Sequence, residues 1–257
     1  MSNKPKLVFF GTDRFAEIVL EKLTESQQFD IRAAITRPTP AKNLALPEAD
    51  LGVVAVYGKI LPKKILEHFR YGILNIHPSL LPKYRGPSPI RTAIANGDAE
   101  TGVTIIKLDD QMDHGPVLIS SKIQIPNDKR HNELRDELAK LGAELLIKTI
   151  PDYIAGIIKP QEQDHSQATY TKILTRDDGK VDLEKDTPET IYNKFRAYED
   201  WPGIFFMHKN KRIKILDCKI ENYKLKIISL QPEGKTPMSL QDFINGYGEL
   251  TPLEFKR

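Results

Sequence analysis

Cysteine is almost missing from this 257-residue sequence: Cys218 is the only one. No intrachain disulfide can form, and no metal cluster can be built on cysteine. A reducing cytoplasm is the expected setting. Long apolar runs are missing too, and nothing is long enough to span a bilayer. The opening Met1-Ser2-Asn3-Lys4-Pro5-Lys6 lacks the apolar core of a signal peptide. Charge of one sign is not in excess. The formal net charge of +3 neither demands nor forbids a nucleic-acid partner. The turn at Gly11-Thr12 lacks the full dinucleotide fingerprint, which disfavours a nucleotide cofactor. His68, His114, His131, His165 and His208 show no metal-ligand spacing, so no metal site is expected.

What is present reads as a globular chain, 40% hydrophobic and 28% charged. Its length suits one large domain or two smaller ones. Leu7-Val8-Phe9-Phe10, Ile31–Ile35 and Leu51–Val56 are short apolar runs with turn residues after them. They read as buried parallel strands. Ala16, Val19, Leu20 and Leu23 follow helical spacing between the first two. Pro62 suits the first turn of a helix burying Ile65, Leu66 and Phe69. Strands alternating with helices predict an α/β fold with a doubly wound, mostly parallel sheet. Ligands on such sheets bind at the carboxyl ends of strands. Val103–Ile106 and Val117–Ile119 read as an antiparallel pair because their connection is short. Leu134, Leu138, Leu141 and Leu145 make one long helical stripe. The expected boundaries are a catalytic domain over 1–158, a polar linker over 159–180 and a small β-rich domain over 181–257. In the last, Arg212–Ile215 and Lys224–Ile227 alternate as half-exposed strands do.

The chemistry concentrates in Gly72–Pro89. It starts as an apolar strand and ends in a proline-rich loop, which prolines stiffen and deprive of amide donors. Asn75 and His77 lie two apart on the strand, so they share a side. An amide can donate to an oxyanion, and an imidazole can move a proton near neutral pH. Asp113, in the polar turn Asp109–Gly115, is the candidate carboxylate to orient the histidine. No nucleophilic serine or cysteine is needed. Ser79 lies near His77, but that spacing is poor grounds for a hydrolase triad. On spacing alone, Asn75 and His77 can equally satisfy loop backbone, and Asp113-His114-Gly115 can be ordinary turn chemistry.

Asn75-Ile76-His77-Pro78-Ser79-Leu80-Leu81-Pro82 followed by Arg85-Gly86 resembles the signature of the folate-dependent formyltransferases. Val54–Pro62 and the stretch from Thr101 to Gly115 are similar to that family's segments as well. Leu230–Ser239 resembles the C-terminal domain of the branch acting on methionyl-tRNA, which the purine-pathway members lack. The resemblance covers nearly the whole chain. It implies 10-formyltetrahydrofolate as donor and methionyl initiator tRNA as acceptor. It implies Asn75, His77 and Asp113 as catalytic residues. Tyr57, Gly58 and Ile60, with Ser79, Leu80, Leu81 and Pro82, are implied to line the folate site. It also implies an OB-like C-terminal barrel. A monomer with no membrane partner is expected.

Two departures stand out. The family's Gly-Thr-Pro-x-Phe-Ala pattern reads Gly11-Thr12-Asp13-Arg14-Phe15-Ala16, without the proline. Between Arg37-Pro38 and Ala49-Asp50 only Thr39–Glu48 remains of a longer basic loop that in the family engages the tRNA acceptor end. An amino-sugar N-formyltransferase shares the catalytic domain and tolerates that loss. A formate-releasing hydrolase and a non-catalytic RNA- or folate-binding module are the other readings. Past Trp201, ten Lys and Arg stand against six Asp and Glu, a local excess of +4. Arg212, Lys214, Lys224 and Lys226 are expected on one solvent-facing side.

Overall fold

A computed structural model describes residues 4–37 and 45–250. Residues 39–44 of the shortened stretch, and Glu254, Lys256 and Arg257 of the charge count, lie outside the described residues. The described residues fall into two compact units. One takes those up to Pro89 with Glu100–Gln124 and Asn132–Lys172. The other takes Ile90–Ala99, Ile125–His131 and the described residues from Ile173 onwards.

The first unit is built on a six-stranded sheet in the order β2-β1-β3-β4-β5-β6. Its strands are β1 (Lys6–Gly11), β2 (Asp30–Ile35), β3 (Leu51–Ala55), β4 (Ile73–His77), β5 (Glu100–Lys107) and β6 (Val117–Gln124). β2, β1, β3 and β4 pair in parallel. β5 runs antiparallel to both β4 and β6. Five of the six strands therefore run one way and β5 alone is reversed, so the sheet is mixed but mostly parallel, as expected. The segment between β4 and β5 gives its helix α3 (Pro89–Ala95) almost wholly to the other unit.

β1, β3 and β4 are buried almost throughout, as strands covered on both faces must be. Helix α1 (Arg14–Glu25) buries Phe15, Ile18, Val19 and Leu23. Asp13, where the family pattern has proline, caps it by accepting from the Ala16 amide. A Cβ on Gly11 would strike Ala16 and the Ala55 carbonyl, so only glycine permits this close turn. On one sheet face Val8, Phe10, Val54 and Ile73 pack with Tyr57, Leu61, Ile65 and Phe69. The last two come from the short helix α2 (Lys63–Leu66) and the turn after it. β2 is an edge strand and only half-buried. The long helix α4 (His131–Ile154) buries Leu134, Leu138, Ala143, Leu146 and Ile150. Its Gly142 lies against Ile76, whose side chain points away from Asn75 and His77.

The second unit holds a four-stranded antiparallel sheet in the order β10-β9-β8-β7. The strands are β7 (Ile204–His208), β8 (Lys211–Glu221), β9 (Lys224–Pro232) and β10 (Met238–Ser239). Helix α5 (Pro188–Ala197) starts at a Thr187 cap with proline in its first turn and buries Ile191 and Phe195. Helix α6 (Leu240–Tyr247) is capped by Ser239 and buries Phe243. Among the described residues no helix is long and apolar enough to cross a membrane.

Candidate active site

Strand periodicity puts Asn75 and His77 on one side of β4, and both are buried. Asp113 joins them from the β5–β6 connection. Its Oδ1 accepts from Asn75 Nδ2 at 3.4 Å and lies 3.6 Å from His77 Nδ1. Its Oδ2 accepts from the Gly86 amide at 2.7 Å. The three expected residues converge. Asp113 comes from the connection that leaves β5 at Lys107, beside Leu74.

The other histidine nitrogen fixes the tautomer. His77 Nε2 lies 2.8 Å from the Tyr84 carbonyl oxygen. A carbonyl can only accept, so Nε2 carries a proton. In the neutral ring Nδ1 is then the nitrogen with the free lone pair, and it is the one facing Asp113. Asn75 keeps a second amide hydrogen for another acceptor. Tyr84 at φ 64° and Asp113 at φ 49° both sit in the left-handed region without being glycine. Val56, just past β3, does so at φ 47°, with its carbonyl held by the Thr12 amide and hydroxyl. Such positions cost about 1–3 kcal/mol each and gather at functional sites.

The loop after β4 is held from within. Ser79 Oγ donates to the Lys83 carbonyl at 2.6 Å and is buried. Thr104 Oγ1 donates to the Ser79 carbonyl and accepts from the Leu81 amide. Leu80, Leu81 and Pro82 keep partly exposed surface. Tyr57 is buried, its ring edge-on to Phe10 at 5.5 Å, while Gly58 and Ile60 are exposed. The structure thus separates the expected lining residues. Tyr57 and Ser79 stand behind, and Gly58, Ile60, Leu80, Leu81 and Pro82 present surface. Among the described residues no group of His, Cys, Asp or Glu is placed to hold a metal ion.

Gln163 and Tyr170 have no place in the sequence reading, and the partners of Arg85, His114 and His165 are given only by the structure. Arg85 is 1% exposed and donates to Gln163 Oε1, to His165 Nδ1 and to the Tyr170 hydroxyl. Its backbone is laced to Thr169 and Thr171. Gln163 donates in turn to the carbonyls of Asp113 and Gly115. The His114 ring stacks on His165 at 3.9 Å, with its Nδ1 at 2.6 Å from Asp109. A polar segment without periodicity gives no sign of such contacts. Only the buried destination of Gln163 does.

In the second unit Arg212 and Lys214 share a side of β8 ahead of a register shift at Ile215–Cys218, and Lys219, Lys224 and Lys226 form a second exposed group beyond it. They are not equivalent. The Arg212 guanidinium lies 3.7 Å over the Phe205 ring. Lys219 and Lys226 are directly paired across the strands and share Glu221, at 3.2 and 3.3 Å.

Residues 1–150 match the family model "Formyl transferase" and residues 173–225 match "Formyl transferase, C-terminal domain". The methionyl-tRNA formyltransferase of Roseiflexus sp. (strain RS-1) is 36% identical over 300 aligned positions, covering 94% of this chain and 92% of that one. That of Caldicellulosiruptor saccharolyticus is 35% identical over 303 positions, covering 94% and 96%. These alignments are longer than the 257-residue chain, so each includes positions without a counterpart here. Among solved structures, methionyl-tRNA formyltransferase from Clostridium thermocellum superposes with a TM-score of 0.68 at 19% identity, covering 89% of this chain and 98% of that one. HypX from Aquifex aeolicus in complex with tetrahydrofolic acid gives 0.73 at 17%, covering 96% and 48%.

Proposed function

Because the chain belongs to the formyl transferase family, we propose that it moves a formyl group from 10-formyltetrahydrofolate to the amino group of methionyl initiator tRNA. The observation that carries the proposal is the meeting of Asn75, His77 and Asp113 side chains around one carboxylate oxygen. The donor supplies a formyl carbonyl whose oxygen gains negative charge as an amine adds. Asn75 has an amide hydrogen left to offer that oxygen, an interaction worth about a hundredfold to a thousandfold. His77, held by Tyr84 through Nε2, handles the amine's proton at Nδ1. Asp113 accepts from Asn75, stands beside His77 Nδ1 and is itself fixed by the Gly86 amide.

The residues present suit a folate. Leu80, Leu81 and Pro82, with Gly58 and Ile60, offer apolar surface and backbone beside the three polar groups, and Ser79, Tyr57 and Thr104 stiffen that surface from behind. We read 1–158 as the catalytic part, 159–180 as a connecting segment and 181–257 as the tRNA-binding part. Its antiparallel sheet would be the OB-like element. The positions without counterparts in the relatives' alignments are assigned to the stretch around 39–48. A single chain working on cytoplasmic tRNA completes the reading, in keeping with a lone, buried cysteine.

An acceptor screen tests this. Purified protein and 10-formyltetrahydrofolate are offered methionyl-tRNA or nucleotide-linked amino sugars. Transfer to methionyl-tRNA at the higher kcat/KM is expected. Preference for the sugar would overturn the acceptor assignment and leave the formyl chemistry standing.

A further inference from the structure

We propose that Gln163 is a positioning residue for formyl transfer, acting through the Asp113 turn. The inference rests on the reading of Asp113 as part of the catalytic group. Gln163 is buried, and all four of its hydrogen-bonding positions are used. Oε1 accepts from Arg85 Nη2 at 2.7 Å and from Arg85 Nε at 3.3 Å. Nε2 donates to the Asp113 carbonyl at 2.9 Å and to the Gly115 carbonyl at 2.7 Å. The amide has one orientation only. Reversed, its NH2 would face a guanidinium and its oxygen would face two carbonyls.

Two features make this more than loop packing. First, the carbonyls it holds flank a residue in the left-handed region. Asp113 has φ 49°, and from that backbone its carboxylate reaches Asn75, His77 and Gly86. The turn is also pinned at Gly115, where any Cβ would strike the Lys107 carbonyl. Second, the side-chain partners of the buried Arg85 guanidinium are Gln163, His165 and the Tyr170 hydroxyl, none of them a carboxylate. Its charge polarises the Gln163 amide and strengthens the two bonds that amide donates. Gln163 thus ties the loop after β4 to the turn bearing Asp113, over sequence separations of 78 and 50 residues.

Gln163→Glu is the telling substitution. It keeps the shape and the pairing with Arg85, but removes both donors and sets a carboxylate oxygen against two carbonyls. Gln163→Met fills the same space with neither donor nor acceptor and serves if the first fails to fold. Each is made alone and with Asp113→Asn, and kcat, donor KM and the pH profile of kcat are measured with 10-formyltetrahydrofolate and methionyl-tRNA. The expected result is a fall in kcat of about a hundredfold, the size of loss that small misplacements of reacting groups bring. Donor KM stays unchanged and the pH profile is displaced, which loss of folding stability alone would not do. In the Asp113→Asn background the Gln163 change should add little, because both act through one group. Wild-type kcat in the Gln163 variants, or equal losses in both backgrounds, would overturn the proposal. Full activity of Asp113→Asn alone would instead overturn the reading of Asp113 on which it rests.

Discussion

Thr104 Oγ1 donates to the Ser79 carbonyl at 2.7 Å and accepts from the Leu81 amide at 3.1 Å. One fully buried hydroxyl from β5 thus satisfies two backbone groups of the loop that presents Leu80, Leu81 and Pro82. Thr104→Val keeps the shape and leaves both groups unpaired. A buried unpaired polar group costs about 1–3 kcal/mol. The expected outcome is a lower melting temperature and weaker folate binding, read by calorimetry and donor titration. Unchanged folate affinity would separate this loop from the donor site.

Asn75 stands where a donor is wanted and a second negative charge is not. Asn75→Ala should lower kcat by about a hundredfold to a thousandfold, as loss of one oxyanion donor does. Asn75→Asp should do at least as much damage at neutral pH, because a carboxylate would face Asp113 Oδ1. Steady-state kcat for the two variants checks this. An aspartate variant more active than the alanine variant would contradict the donor role.

Burial pushes the Cys218 thiol from its ordinary value of 9.0 up to about 12. Burial also raises the Tyr198 phenol. In the unfolded chain the thiol loses its proton earlier, so the unfolded state gains on the folded one across that interval. The thiol's contribution to stability is therefore whole below about pH 9 and declines towards about pH 12. Denaturant unfolding from about pH 8 to pH 11 should show wild type losing stability more steeply than Cys218→Ala. Parallel curves would refute the assignment.

The basic residues of β8 and β9 should carry much of the tRNA affinity. Arg212 is a poor choice for testing this, since its guanidinium covers Phe205 and its loss would disturb packing. Lys214, Lys219, Lys224 and Lys226 changed together to Gln remove charge without adding repulsion around Glu221. The plot of log affinity against log salt should flatten, by about 0.7–0.9 for each phosphate no longer neutralised. An unchanged slope would move the tRNA site elsewhere.

Side-chain periodicity made the heart of this site legible before any coordinates. Period two placed Asn75 and His77 together and sent Ile76 to the other face. Continuous apolar runs marked β1, β3 and β4 as buried. Direction was not legible: nothing in Glu100–Lys107 says whether it runs with β4 or against it, because that depends on where the connecting helix packs. The polar turn offers Asp113 as a candidate and the resemblance singles it out, since a turn aspartate looks alike with or without a catalytic partner. Two contributors were out of reach for different reasons. The Tyr84 carbonyl that fixes the His77 tautomer is a backbone group, which no side-chain pattern reports. Gln163 lies in a polar stretch whose partners are all distant in sequence.

The most direct test is single-turnover formyl transfer to methionyl-tRNA at saturating 10-formyltetrahydrofolate, comparing wild type with His77→Ala. Donor affinity and melting temperature are measured alongside. His77 meets the Tyr84 carbonyl and Asp113, so its loss removes the proton-handling nitrogen. The expected result is a fall in the transfer rate of about a hundredfold to ten-thousandfold with donor binding retained. A His77→Ala protein that transfers formyl at close to the wild-type rate would contradict the role given to this histidine.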